Sequence, residues 1–139
     1  METESFYFNI LKESTSVIEE KFSIDIRLDS SCLLVTKNYF GDTDNQLSQS
    51  LIKSFFYVMA EKDTKPSEII LINKGVLLAT EGSSIISALK ELERDGVSLL
   101  CCGASLNHLK MREKLQTGYI SNMYDIIEVL MQSKKVITI

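Results

Sequence analysis

Leu99-Leu100-Cys101-Cys102-Gly103-Ala104-Ser105-Leu106-Asn107-His108 joins an apolar run to a glycine and then to a segment of helical spacing. The run begins at Val97, and beyond it Leu106, Met111 and Leu115 are apolar while Lys110, Arg112, Glu113 and Lys114 are polar. A short continuous apolar run is what a strand covered on both faces requires, and the pattern predicts strand, tight turn and helix start. In open α/β sheets, ligands and chemistry gather at the carboxyl ends of the strands, where the next helix begins. A thiol at such a junction meets backbone N–H groups and the positive end of a helix dipole, both of which favour thiolate.

Outward from this stretch the same alternation recurs. Residues 32–36 are a continuous apolar run, residues 68–73 carry a second at Ile69, Ile70, Leu71 and Ile72, and Tyr119-Ile120 and residues 136–139 are further short ones. Between them lie amphipathic segments. Residues 46–62 carry Leu47, Leu51, Ile52, Phe55, Val58 and Met59, and residues 83–95 carry Ile85, Ile86, Leu89 and Leu92, stopped by Gly96. In residues 122–132, Met123, Ile126, Ile127 and Leu130 are expected on one face. Lys65-Pro66 is expected to break the chain before the second strand. Alternating strands and helices predict right-handed crossovers and a largely parallel sheet of about five strands, hence a three-layer α/β/α sandwich. Residues 1–30 differ. Phe22, Ile24, Ile26 and Leu28 alternate with polar residues, and Phe6, Phe8 and Ile10 offer a partner strand, so this extension predicts a β-hairpin ahead of the domain at 31–139.

Composition bounds the function. The chain has 139 residues, enough for one domain with roughly two-thirds of its surface buried on folding. Its net charge is −4 and its longest basic run is Lys134-Lys135, so no electrostatic footprint for nucleic acid or an anionic membrane is present. No stretch approaches ~20 apolar residues, and Met1-Glu2-Thr3-Glu4 lacks the basic start of a signal peptide. Three cysteines make no disulfide framework, which points to a reducing cytoplasm, and with one histidine they make no metal-ligand spacing. No GxGxxG or Walker sequence occurs.

Several residue groups then line up in order: Gly41-Asp42 followed by Leu47, Leu51 and Phe55, Asn73-Lys74-Gly75-Val76, Glu81-Gly82-Ser83, Cys102-Gly103, and Asn122-Met123-Tyr124. In these the chain resembles the DsrE-like family, and within it the C-terminal DsrE-like domain of the YedF proteins, which are linked to selenium metabolism. The resemblance spans about residues 32–139. It implies an α/β/α sandwich that forms a homo-oligomer, here a dimer or trimer, and needs no cofactor. It also implies sulfur or selenium handling through a cysteine persulfide, relayed to a partner such as a TusA-like sulfur carrier. Two departures are visible. The single proline, Pro66, follows Lys65, so the Cys-Pro-x-Pro motif of TusA-like domains is excluded from this sequence. Where YedF-like proteins carry Cys-Gly-Thr-Cys, this chain has Cys102-Gly103-Ala104-Ser105, so a dithiol cycle through that motif is unavailable.

The candidate site follows. Cys102 matches the first cysteine of the family motif and is the expected reactive thiol, with Gly103 turning the chain so that the N–H groups of residues 104–106 point at the sulfur. Cys101, one residue earlier on a strand, faces the other side, and Cys32 is expected to be structural. Ser105 either caps the following helix or donates to the sulfur, and His108 either partners the thiolate from the helix's first turn or is a surface residue. Asn73 and Gly75 follow a buried strand at the same edge, Gly75 being expected to supply a positive φ. Gly41, Asp42 and Asp44 follow the first strand there. Asn122 either caps the last helix or reaches the cysteine loop, with Tyr124 beside it. No metal site is expected. Two readings stay open: a sulfurtransferase-like carrier using Cys102, and a non-catalytic binding or assembly subunit in which that cysteine is only packed.

Overall fold

Strand and helix alternate along the described residues, 26–139 of the computed structural model. The elements are β1 (Arg27–Val35), α1 (Gln46–Glu61), β2 (Thr64–Leu71), a 3-10 helix (Asn73–Ala79), α2 (Ile86–Arg94), β3 (Ser98–Cys102), α3 (Gly103–His108), a 3-10 turn (Arg112–Lys114), β4 (Tyr119–Ser121), α4 (Met123–Gln132) and β5 (Lys135–Thr138). The strands form one sheet in the order β4-β3-β2-β1-β5, and every pairing is parallel. From β1 to β4 the chain steps in one direction, so right-handed crossovers put α1, α2 and α3 on one face. The link from β4 to β5 crosses back over the whole sheet and places α4 on the other. This is the expected α/β/α sandwich.

The central strands are apolar because both their faces are covered. Ile69, Ile70 and Leu71 of β2 and Leu99 through Cys102 of β3 are all buried. Helix α1 starts with a reciprocal cap. Asn45 Oδ1 accepts from Ser48 N at 2.9 Å while Ser48 Oγ accepts from Asn45 N at 2.8 Å. Its other end is closed by Lys65, which is 2% exposed. Lys65 Nζ donates to the Ala60 and Met59 carbonyls at 2.6 and 3.2 Å and pairs with Asp95 at 3.3 Å. The last carbonyls of a helix need donors, and here a buried ammonium supplies them.

The structure corrects four expectations of the sequence. Arg27 and Leu28 are not part of a hairpin; they open β1 and run parallel to β2, opposite Thr64 and Lys65. Strand β5 joins β1 only from Ser31 onward, so the first residues of β1 have a neighbour on one side alone and keep the alternation of a half-exposed strand. The rest of the expected hairpin lies outside the described residues. Lys65-Pro66 does not break the chain but sits inside β2. Pro66 is opposite Asp29, beside a register shift in β1, and β3 joins β2 only at Glu68, so no neighbour needs the missing N–H. Helix α1 buries Ser48, Ile52, Phe56 and Ala60, a stripe offset from the expected one, leaving Leu47, Leu51 and Val58 exposed. In α4, only Ile126 of the four expected core residues is fully buried, while Met123 and Ile127 point outward.

Candidate functional site

Cys102 ends β3 and stands at the N-cap of α3, at the carboxyl edge of the sheet. Its backbone is still extended (φ −64°, ψ 117°), so its side chain follows the alternation of the strand. Cys101 leaves on the opposite face with Leu99; a Cβ on Gly118 would meet Cys101 Sγ and Leu99 Cγ at 2.9 Å. Cys102 is 5% exposed. The convergence of N–H groups 104–106 on its sulfur is not found: the Cys102 side chain makes no cap hydrogen bond to α3. The reason is geometric, because a side chain held in strand alternation stands out from the face of the sheet instead of turning over the helix start.

The three thiols occupy different environments. Burial, reinforced by Glu93 and Cys102, pushes the Cys101 thiol up to about 12. The Glu93 carboxylate is held there by the Thr117 hydroxyl and by Gly118 N at 3.2 Å. Burial and then Glu68 push Cys32 up to about 11. Both therefore stay protonated at neutral pH, and a protonated thiol is a poor nucleophile.

The loops at the carboxyl edge are stitched together one to the next. Asn73 N donates to Ser105 Oγ at 2.7 Å, which joins the segment after β2 to α3. Ser105 is thus engaged across the sheet edge; it neither caps α3 nor donates to the cysteine sulfur. The positive φ after β2 belongs to Asn73 (φ 53°) and not to Gly75. Gly75 is required for another reason: a Cβ there would overlap the Val35 carbonyl oxygen, which accepts from Ile72 N at 3.0 Å. Gly103 also serves close approach. A Cβ on it would meet Ile120 Cγ2 at 3.1 Å, the Ser121 carbonyl oxygen at 3.3 Å and Arg112 Nη1 at 3.5 Å.

Other predicted residues are not drawn into this cluster. Gly41 (φ 102°) turns in open space and Asp42 is exposed, while Asp44 accepts from Gln49 Nε2 at 2.8 Å beside the start of α1. His108 is exposed in the last turn of α3, not the first, because the helix begins at Gly103 and has six residues. That places it about 9 Å along the axis from Cys102. Asn122 caps α4, its Oδ1 accepting from Asp125 N at 2.9 Å, and Tyr124 is 79% exposed.

Two residues of the cluster escaped sequence reasoning. Arg112 lies beyond the motif in sequence but lays its guanidinium beside Gly103 and donates to Asn107 Oδ1 at 3.3 Å; nothing in the sequence signals this. Ser121 lies opposite Cys102 in the β3–β4 register and is buried, with no hydrogen-bond partner for its hydroxyl among the described residues. Its only sequence signal is a polar residue closing an apolar strand. Among the described residues no three His, Cys, Asp or Glu side chains form a metal cluster, and no helix is long and apolar enough to cross a membrane. A groove of about 440 Å³, lined by Phe40, Leu51, Phe55, Val58, Met59 and Pro66 among others, shares no residue with the cysteine cluster.

Known proteins show the same architecture. The family model described as DsrE/DsrF-like matches residues 36–139. The ychN protein of E. coli superposes with a TM-score of 0.59 at 14% identity, covering 78% of this chain and 98% of that one. The MTH1491 protein of Methanobacterium thermoautotrophicum gives 0.56 at 19% identity, covering 83% and 100%. At these identities the likeness is one of fold. No curated protein matches the sequence significantly.

Proposed function

The chain belongs to the DsrE/DsrF-like family, and from that premise we propose that it is a sulfur-handling protein carrying a persulfide on Cys102. The observation that carries the reading is the contrast among the thiols. Cys32 and Cys101 are fully buried and pushed up to about 11 and 12, whereas Cys102 stands at the carboxyl edge of the sheet, where β3 gives way to α3. In the transfer, the Cys102 thiolate attacks the outer sulfur of a donor persulfide, R–S–SH. The Cys102 S–S bond forms as the donor's S–S bond breaks, the electron pair leaves with the donor as R–S⁻, and the proton on the outer sulfur goes to water. No oxidant or cofactor enters. An acceptor thiolate repeats the step in the other direction, and a TusA-like carrier is the kind of partner that fits. Selenium in place of the outer sulfur follows the same course, as the YedF resemblance suggests. A cytoplasmic location suits three free thiols.

The burial of Cys102 favours a second reading, an assembly subunit in which the thiol only packs. One experiment separates the two. The protein is incubated with glutathione persulfide and its intact mass is followed. Wild type and Cys101→Ser are expected to gain one sulfur atom, and Cys102→Ser to gain none with its fold retained. Equal loading of wild type and Cys102→Ser removes Cys102 from the mechanism and leaves the assembly reading.

A further inference from the structure

We infer that the Ser121 hydroxyl binds the sulfur that Cys102 carries, donating a hydrogen bond to the outer, anionic atom of the persulfide. This rests on the reading of Cys102 as the carrier and adds a second residue to that site.

Register supplies the first argument. Ser121 closes β4 directly opposite Cys102 at the end of β3. Partners in parallel strands send their side chains to the same face from backbones about 4.8 Å apart. The serine therefore stands beside the thiol, on the face away from Cys101.

Its bonding state supplies the second. Five serines or threonines are buried among the described residues: Ser31, Ser48, Thr80, Thr117 and Ser121. Four have engaged hydroxyls. Ser31 donates to Asp29, Ser48 to the Asn45 carbonyl at 3.0 Å, Thr80 to the Leu77 carbonyl at 3.0 Å, and Thr117 to Glu93. Ser121, 6% exposed, has no partner among the described residues, and it does not bond to Cys102 Sγ. A buried hydroxyl left unpaired is costly, and alanine would fill the same position without that cost.

Chemistry supplies the third. A cysteine sulfur is a weak hydrogen-bond acceptor, so the empty site gives Ser121 little to bond. A persulfide extends the side chain by one S–S bond, about 2 Å, on the face that Cys102 shares with Ser121. After transfer the outer sulfur has lost its proton to water and carries the charge, and a hydroxyl donating to an ionised acceptor makes a bond roughly twice as strong as a neutral one. Ser121 thus distinguishes the loaded site from the empty one.

The test compares wild type, Ser121→Ala and Ser121→Thr. Each is loaded with glutathione persulfide and freed of excess, and loss of the bound sulfur to cyanide is timed by intact mass. The sulfur-free proteins are alkylated with iodoacetamide in parallel. Losing a hydrogen bond to a charged group should speed sulfur release from Ser121→Ala about tenfold, with Ser121→Thr within about twofold of wild type and free-thiol alkylation unchanged in both. Deleting an unpaired hydroxyl leaves the fold intact, so Ser121→Ala decides alone if threonine does not fit. Retention by Ser121→Ala as long as by wild type overturns the assignment while the carrier reading stands. So does a rise in alkylation matching the rise in release, which would mark a structural role. Failure of wild type to load overturns both.

Discussion

The backbone N–H of Asn73 donates to the hydroxyl of Ser105 at 2.7 Å, across 32 residues of sequence. The donor sits in the left-handed region (φ 53°), which asparagine tolerates better than other residues with a Cβ. This bond holds the start of α3, and with it Cys102, against the segment that follows β2. Ser105→Ala should lower stability by about 1 kcal/mol and speed hydrogen exchange at the Asn73 amide. Urea unfolding and native-state exchange measure the two effects; an Asn73 amide that exchanges as slowly as in wild type would contradict the coupling.

Gly75 and Gly41 offer a matched pair. A Cβ at Gly75 collides with the Val35 carbonyl oxygen, which is backbone already held by Ile72 N. Gly41 has no atom near its missing Cβ but has φ 102°. Gly75→Ala should cost about 3 kcal/mol by overpacking, and Gly41→Ala only about 1–2 kcal/mol of backbone strain. Urea midpoints compare them, and equal losses would mean that the Val35 contact yields easily.

What could be read ahead of the structure followed local pattern. The runs around Ile70 and Leu100 announce strands because burial on both faces leaves them no polar position, and Asn122 announces a cap through its place before an amphipathic helix. The misreadings share one cause, the dependence of a residue on what lies across from it. Arg27 resembles a hairpin residue because β5 stops short of it, and Pro66 resembles a breaker because β3 does. Lys65, expected only as part of a break in the chain, reaches the Ala60 carbonyl and Asp95 in the interior. In the site, the strand-to-helix placement of Cys102 was legible. The partnership of Asn73 with Ser105 and the register of Ser121 with Cys102 were not, since each joins residues far apart in sequence.

The buried thiols give the protein an alkaline weakness. Cys101 at about 12 and Cys32 at about 11 lie above the ordinary value of 9.0, so the folded state holds these protons more tightly than the unfolded chain. Stability from this source is complete below pH 9. It is lost as pH rises toward 11 and 12, because only the unfolded thiols ionise in that window. The urea midpoint should fall above pH 9, and Cys101→Ala should flatten the fall whatever it does to the midpoint at neutral pH. A midpoint that stays level well above pH 9 would show that the two thiols are not sealed.

The outer side of α4 bears on assembly. Ile126 is buried, and Val129 and Leu130 pack against the core, so one side of the helix is satisfied by its own sheet. Asp125, Glu128 and Gln132 form a polar strip, with Gln132 Nε2 donating to Glu128 Oε2 at 3.0 Å. The third side is apolar and open. Met123, Tyr124, Ile127 and Met131 recur at helical spacing and are 55, 79, 51 and 79% exposed. Side chains of this size each contribute about 1.5–3 kcal/mol when fully buried, and a contiguous apolar strip on a surface marks an interface. We expect a second copy of the chain to cover it, giving a homo-oligomer, a dimer or trimer, as the family resemblance implies. In a two-fold dimer the same strip meets itself, so one substitution acts on both sides of the contact. Ile127→Asp with Met131→Glu would then bury four uncompensated carboxylates per dimer, which no strip of this size can offset. Light scattering at micromolar concentration should give an oligomer for wild type and a monomer for the double variant. Circular dichroism should match between them, because neither side chain belongs to the core. A wild-type monomer under these conditions, or a double variant that still assembles, would rule out α4 as the interface.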